Sequence, residues 1–285
     1  MVRVPHDAGD HAPADRVQLP ASSVGQAVTD ENKRRLGVEI AVVLLISLGQ
    51  SAIYGILTIW RKMTDPVALS QQVTRINTST VPDRPWLDFA YQVAGTFFPL
   101  MPAVLAIYLL WVHVQPERGP FGEMGFDLRK PGRDLAQGVG IFVVIGIAGL
   151  AFYIFAVAIG INTQVRPANF AEAAWWTVPM LVARAFMNGI LEEVVMIGYL
   201  FTRWAQRGGN MLHMIFISAL IRGGYHLYQG WGGFFGNLVM GLVFGWLYLR
   251  IKRVMPLVIV HIILDLFAFL GAGLLVYLPF APSGT

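Results

Sequence analysis

The chain has 285 residues, 55% hydrophobic and 13% charged, with a net charge of +4, against roughly 25% charged residues in an ordinary soluble domain. That balance excludes a water-facing globule. The absence of cysteine excludes disulfides, Cys-ligated zinc or iron–sulfur centres and a thiol nucleophile, so any chemistry must come from oxygen and imidazole groups. The basic residues gather at the ends of apolar stretches rather than on one face, which argues for charge that sets membrane topology and against a nucleic-acid partner.

In chain order, residues 1–30 are polar, with Pro5, Pro13 and Pro20 and no apolar stripe, and read as a disordered cytoplasmic tail. No apolar core with a cleavage site opens the chain, so no secretory signal peptide is expected and the first span is expected to stay in place. Residues 31–285 then read as an all-α, polytopic transmembrane helix bundle in which the bilayer is the first partner. About seven stretches are long enough to span, at 37–60, 87–112, 135–160, 171–202, 211–229, 233–250 and 256–278, with 61–86 as a loop. The 30 glycines and 16 prolines suit helices that approach closely and tolerate breaks.

Lys33, Arg34 and Arg35 place the N-terminus in the cytoplasm under the positive-inside rule. Alternating spans then put Arg118, Arg129, Lys130 and Arg133 inside, likewise Arg203 and Arg207, and finally Arg250, Lys252 and Arg253. The 61–86 loop mixes Arg61, Lys62, Arg75 and Arg84 with Asp65 and Asp83 and tests the scheme least. Residues 121–134 mix aromatic and basic side chains up to Pro131 and read either as an interfacial segment or as a plain linker. Trp175, Trp176 and Trp231 are expected in the aromatic belts.

An ionisable group inside the hydrocarbon costs at least a few kcal/mol, so each needs a partner, a hydrated cavity or a function. Glu192 and Glu193 share one span, Arg222 and His226 the next, and His261 and Asp265 a later one. Counting the helical rise from the nearest inner charge or turn puts Glu192 about 16 Å deep, His261 about 12 Å, Asp265 about 18 Å and His226 about 22 Å. Three helices thus direct polar groups to one layer, which points to one shared site. Residues four apart share a helix face, so Arg222 goes with His226 and His261 with Asp265, the carboxylate holding the ring. Adjacent glutamates diverge by about 100 degrees, so one of the pair is expected in the site and the other in a structural role. Asn188 and Arg184 precede Glu192 by one and two turns and can pair with it or line the same cavity.

The Glu192-Glu193 pair, His226, and His261 followed by Asp265 in the same order resemble the three motifs of the CAAX-protease and bacteriocin-processing family of intramembrane endopeptidases, which includes the Ras-converting CAAX prenyl endopeptidase. The resemblance spans about residues 135–275. It implies an intramembrane endopeptidase of the bacterial plasma membrane that hydrolyses a membrane-associated or prenylated-type peptide. Glu192 and His226 would activate the attacking water, while His261 with Asp265 would bind the oxyanion. Where the family's first motif carries an arginine this chain has Ile197, and where its second has a phenylalanine this chain has Arg222; Arg222 is therefore expected to supply the missing charge from the neighbouring helix. The ligand types also suit zinc, but without an HExxH helix a cofactor-free scheme is favoured. A catalytically inactive scaffold or immunity factor and a proton-coupled transporter are the other classes open, although no internal repeat of the transporter kind is visible.

Overall fold

The computed structural model describes residues 30–113, 119–166 and 174–275. Of the expected 1–30 tail all but Asp30, which begins the first helix, lies outside them, as do Arg118, the first residues of the 171–202 span and the last of the 256–278 span. The described chain is helical apart from two three-residue strands, as an all-α membrane bundle requires.

The first expected span, 37–60, is two helices, α1 (Asp30–Leu45) and α2 (Leu48–Met63), bent by 52°. At the break Ser47 Oγ donates to the Val43 carbonyl at 2.5 Å, a back-bond that competes with the helical ladder. The second span comprises α3 (Pro85–Phe97), a 3₁₀ turn at Phe98–Leu100, and α4 (Met101–His113). Pro99 and Pro102 lack the N–H that a continuous α-helix would use there. Short α5 (Gly119–Met124) leads into α6 (Pro131–Ala158), where Pro131 occupies the favoured first turn. α6 turns Val144 and Ile147 outward at 70% and 69% exposure, a face suited to lipid and not to water.

α7 (Thr177–Glu193) continues without a break into a π-helical turn, Val194–Tyr199, and then α8 (Leu200–Gln206). α9 (Met211–Tyr225) starts on Asn210, whose side chain accepts the Leu212 N–H at 2.8 Å, and ends in a 3₁₀ turn at Leu227–Gln229. α10 (Trp231–Ile251) stops at Lys252 in the left-handed conformation, and α11 (Met255–Leu275) follows. Among the described residues three helices are long and apolar enough to cross a bilayer alone, Pro85–Val112, Pro131–Ala158 and Trp231–Ile251, and the bent α1–α2 pair brings this to four if it is one span. α7, α8 and α9 are shorter or interrupted by polar residues, and with α11, whose apolar part is Met255–Gly271, they carry the ionisable groups of the site.

The 61–86 loop is not wholly irregular. Its strand β1 (Val73–Arg75) pairs in parallel with β2 (Gln164–Arg166) from the segment after α6. Thr74 Oγ1 and Thr163 Oγ1 share a 2.6 Å hydrogen bond, and Thr163 also donates to the Gln229 carbonyl at 2.8 Å. Two chain segments thus strap the turn that follows His226. Hydropathy could not show this, because the strap is polar and stabilised by residues about 90 positions apart.

Two further ion-pair groups brace the end of the bundle where the basic residues gather. Arg203, read from sequence as an inner-loop charge, is fully buried at the end of α8 and donates to Glu39 Oε1 at 2.7 Å. Glu39 also accepts the Tyr199 hydroxyl, so α1 is pinned to α8 by a carboxylate that the sequence reading had passed over. Arg253 donates to Asp134 Oδ2 at 2.6 Å and to Asp127 Oδ1 at 3.0 Å, fixing the α10–α11 turn to the α5–α6 linker. Burial alone would raise the Asp127 carboxyl, yet hydrogen bonds from the Arg129 backbone and the Arg253 side chain, with the Arg253 charge, hold it below the usual carboxylate range. The 121–134 stretch is thus anchored to the bundle through these contacts.

The core runs along the π-turn, where Val194 to Phe201 are all buried. Gly189 lets α11 pack against α7: a Cβ there would meet Ile262 Cγ1 at 2.7 Å and the Val258 carbonyl at 3.2 Å. Gly189→Val should therefore push α11 outward and destabilise the protein by about 1–3 kcal/mol, the usual penalty of overpacking. A lower thermal midpoint in detergent, with the oligomeric state unchanged, is the expected reading; an unchanged midpoint would mean the helices separate at no cost.

Candidate active site

The helical registers bring the sequence-predicted groups together from α7, α9 and α11. Arg222, fully buried near the end of α9, donates Nη2–H to Glu193 Oε1 at 2.7 Å and Nη1–H to Glu192 Oε2 at 3.4 Å. His261 on α11 places Nδ1 2.7 Å from the same Glu193 Oε1 and Nε2 3.8 Å from Glu192 Oε2. Both glutamates therefore touch the same two partners. Adjacent carboxylates do diverge around a helix, but a forked guanidinium and a two-nitrogen ring are wide enough to contact both. The pair also lies at the junction of α7 with the π-turn, a local widening of the helix often found where a helix is adapted to function.

The role expected for Asp265 changes as well. Its Oδ1 lies 3.9 Å from His261 Nε2, beyond hydrogen-bond length, and its Oδ2 accepts Asn188 Nδ2–H at 2.7 Å. The His261 ring is held through Nδ1 by Glu193, while Asn188 holds Asp265. The spacing of four placed Asp265 on the right face, but a neighbouring helix supplied the shorter acceptor. Arg184 departs from Glu192 altogether: Nη1 donates to Asn77 Oδ1 at 3.0 Å and Nη2 to Gln92 Oε1 at 2.6 Å.

His226 follows the last residue of α9, and its Nδ1 lies 3.0 Å from the Arg222 carbonyl. A carbonyl only accepts, so a proton sits on Nδ1, and in the neutral ring Nε2 presents a lone pair. The expected Arg222–His226 pairing is thus made through the backbone of one and the ring of the other. Tyr225, between them in sequence, donates its hydroxyl to Glu192 Oε2 at 2.6 Å and was missed from sequence. Its signal was the spacing of three from Arg222, which puts it on the same face. Ile197, where the family motif has arginine, is fully buried, and the guanidinium that meets the glutamates belongs to Arg222.

These contacts leave a distinct set of atoms free. Glu192 Oε1, His226 Nε2, His261 Nε2 and Asp265 Oδ1 make no hydrogen bond among the described residues. Glu192 keeps 11% of its side chain exposed, whereas Glu193 keeps none. One glutamate is consumed by its partners and the other retains an open oxygen. The Arg222 guanidinium and the rings of His261 and His226 all lie near enough to Glu192 to act on its carboxylate. One ligand atom each from Glu192, Glu193 and His261 lies within 4.8 Å of the others, so this corner could hold a metal ion, although the same carboxylates already face a guanidinium. A base, two imidazoles and a fixed positive charge brought together in this way can activate water and stabilise a developing negative charge.

No curated protein and no solved structure matches the chain. Residues 174–267, which contain every candidate residue from Arg184 to Asp265, match the family model described as type II CAAX prenyl endopeptidase Rce1-like, in agreement with the resemblance carried by Glu192-Glu193, His226 and His261 with Asp265.

Proposed function

We propose that this protein is an intramembrane endopeptidase that hydrolyses a peptide bond in a membrane-associated or prenylated-type peptide. The observation that carries the reading is the convergence of Glu192, His226, His261 and Asp265, each keeping one polar atom without a hydrogen bond among the described residues. Water bound between Glu192 Oε1 and His226 Nε2 gives up a proton to this pair as its oxygen attacks the scissile carbonyl. The proton then passes to the departing amine. His261 Nε2 faces carboxylate oxygens at 3.8 and 3.9 Å, so a proton on it is held without being spent in a short bond, and it is presented to the oxyanion. Glu193 and Arg222 act one layer back: Glu193 fixes His261, and Arg222 fixes both glutamates. In this reading residues of about 135–275 form the catalytic core, and the N-terminus lies on the basic, cytoplasmic side of a bacterial plasma membrane.

The test is cleavage of an S-farnesylated C-terminal peptide by the purified protein in lipid nanodiscs, with and without a chelator. Cleavage that persists after exhaustive chelation is expected. Activity lost to chelator and restored by zinc would instead make the Glu192, Glu193 and His261 corner a metal site. Absence of cleavage across farnesylated and unmodified peptides would favour a scaffold or transporter.

A further inference from the structure

The end of α2 carries charge that the peptide chemistry does not use. Arg61 and Lys62, in its last turn, line a cavity of about 410 Å³ together with Asp65, Val67, Gln72 and Val73, a volume within the range of small-ligand sites. Gln72 shapes the cavity: its Nε2 donates to the Lys62 and Val67 carbonyls, both at 2.8 Å, and folds the loop back onto the helix end. Asp65 Oδ1 accepts the Val67 N–H at 2.8 Å, and Oδ2 makes no hydrogen bond among the described residues.

The two cations have no counter-ion there. Arg61 is exposed, and its guanidinium makes no hydrogen bond or ion pair among the described residues. Lys62 Nζ gives one of its three donors to Thr74 Oγ1 at 2.6 Å, which leaves two to spare. Burial and the neighbouring Arg61 charge both pull the Lys62 ammonium below its ordinary value, the mark of adjacent cations with no anion between them. Asp65 lines the same cavity but is paired with neither.

The surroundings are those of a membrane interface. Trp60 and Met63, on the same helical turn, are exposed, and Met63 Sδ accepts the Nε1–H of Trp231, the first residue of α10, at 3.1 Å. Tryptophans at the ends of apolar helices mark the headgroup level. In the orientation read from the sequence this is the outer end of the first span, where the positive-inside rule gives basic residues no topological role.

We propose that this cavity binds the headgroup of a phosphatidylethanolamine-type lipid, with the phosphate on Arg61 and Lys62 and the primary ammonium on Asp65. The forked guanidinium and the two spare Lys62 donors suit phosphate oxygens, and the open Asp65 oxygen suits the ammonium. An anionic lipid such as phosphatidylglycerol brings no cation to Asp65. A free phosphate has nothing to lay against Trp60 and Met63, so the lipid is the favoured source of the phosphate. The bound phosphate also steadies Lys62, which heads a line of hydrogen bonds through Thr74 and Thr163 to the Gln229 carbonyl, in the turn after His226.

Native mass spectrometry of the purified full-length protein in detergent, titrated with dioleoyl phosphatidylethanolamine or dioleoyl phosphatidylglycerol, tests the site without requiring turnover. The ethanolamine lipid is expected to bind about fivefold more tightly, in line with one partly exposed charge pair. Asp65→Asn keeps the acceptor for Val67 and should bring the ratio close to one. Arg61→Gln breaks no described contact and should weaken both lipids by about fivefold or more. Equal or tighter binding of phosphatidylglycerol by the wild type overturns the ethanolamine assignment, and unchanged lipid affinity in Arg61→Gln overturns the site. Inorganic phosphate that displaces the lipid at equal concentration would overturn the lipid assignment in favour of a free anion. Amide hydrogen exchange over residues 227–230 should slow when phosphatidylethanolamine is bound; an unchanged rate would sever the link to the His226 turn.

Discussion

Glu192→Gln is expected to lower the turnover of a cleaved peptide by about 10³-fold or more, within the range assigned to a positioned general base, while the protein stays folded. The amide keeps the size of the side chain and can still accept the Tyr225 hydroxyl, so that contact at 2.6 Å survives. What is lost is the proton-accepting Oε1, the atom of this residue with no protein partner. Turnover and thermal midpoint measured on the same preparation separate the two effects. Full activity in the variant would remove Glu192 from the chemistry and leave Asp265 Oδ1 as the other carboxylate oxygen of the site without a hydrogen bond.

Arg222→Met is expected to give the largest loss of stability, about 3–5 kcal/mol, the usual cost of removing one partner from a buried ion pair. Arg222 is fully buried with Glu193 also at zero exposure, so the substitution strands a carboxylate that water cannot reach. His261 would remain its only strong donor among the described residues. The double variant Arg222→Met, Glu193→Gln removes the stranded charge as well and should recover a substantial part of the stability. Chemical denaturation of wild type, both single variants and the double gives the coupling directly. Additive losses would mean that the pair does not interact energetically.

The bundle itself was legible in the sequence because bilayer-spanning helices need long apolar runs, and α6 and α10 fall within a few residues of their expected bounds. Breaks were less legible. The bend at Ser47 and the turn at Phe98–Leu100 fall inside apolar runs where hydropathy is blind to a single back-bonding serine or a proline pair. The strap of β1 and β2 is short and polar, and its partners are distant in sequence.

At the candidate site, the choice of helices and faces followed from helical spacing and from the cost of ionisable groups in hydrocarbon. The partner of each group did not. Asp265 sits one turn from His261, but the 2.7 Å bond to that ring comes from Glu193 across a helix interface that Gly189 makes close. Arg184 has the spacing to approach Glu192, yet the loop at Asn77 and the α3 face at Gln92 reach its guanidinium first. Periodicity fixes which way a side chain points along its own helix; interhelical distance decides what it meets.

In the proposed reaction, polar side chains converging from α7, α11 and the end of α9 hold a water molecule that becomes part of the product. The most direct measurement is peptide cleavage by the purified protein in water enriched in oxygen-18, under single-turnover conditions with mass spectrometry of the newly formed carboxylate. One heavy oxygen in the new carboxylate, with the signal abolished in Glu192→Gln and His226→Ala, is the predicted result. Cleavage that proceeds undiminished in both variants, or a wild-type product that carries no heavy oxygen, would contradict it.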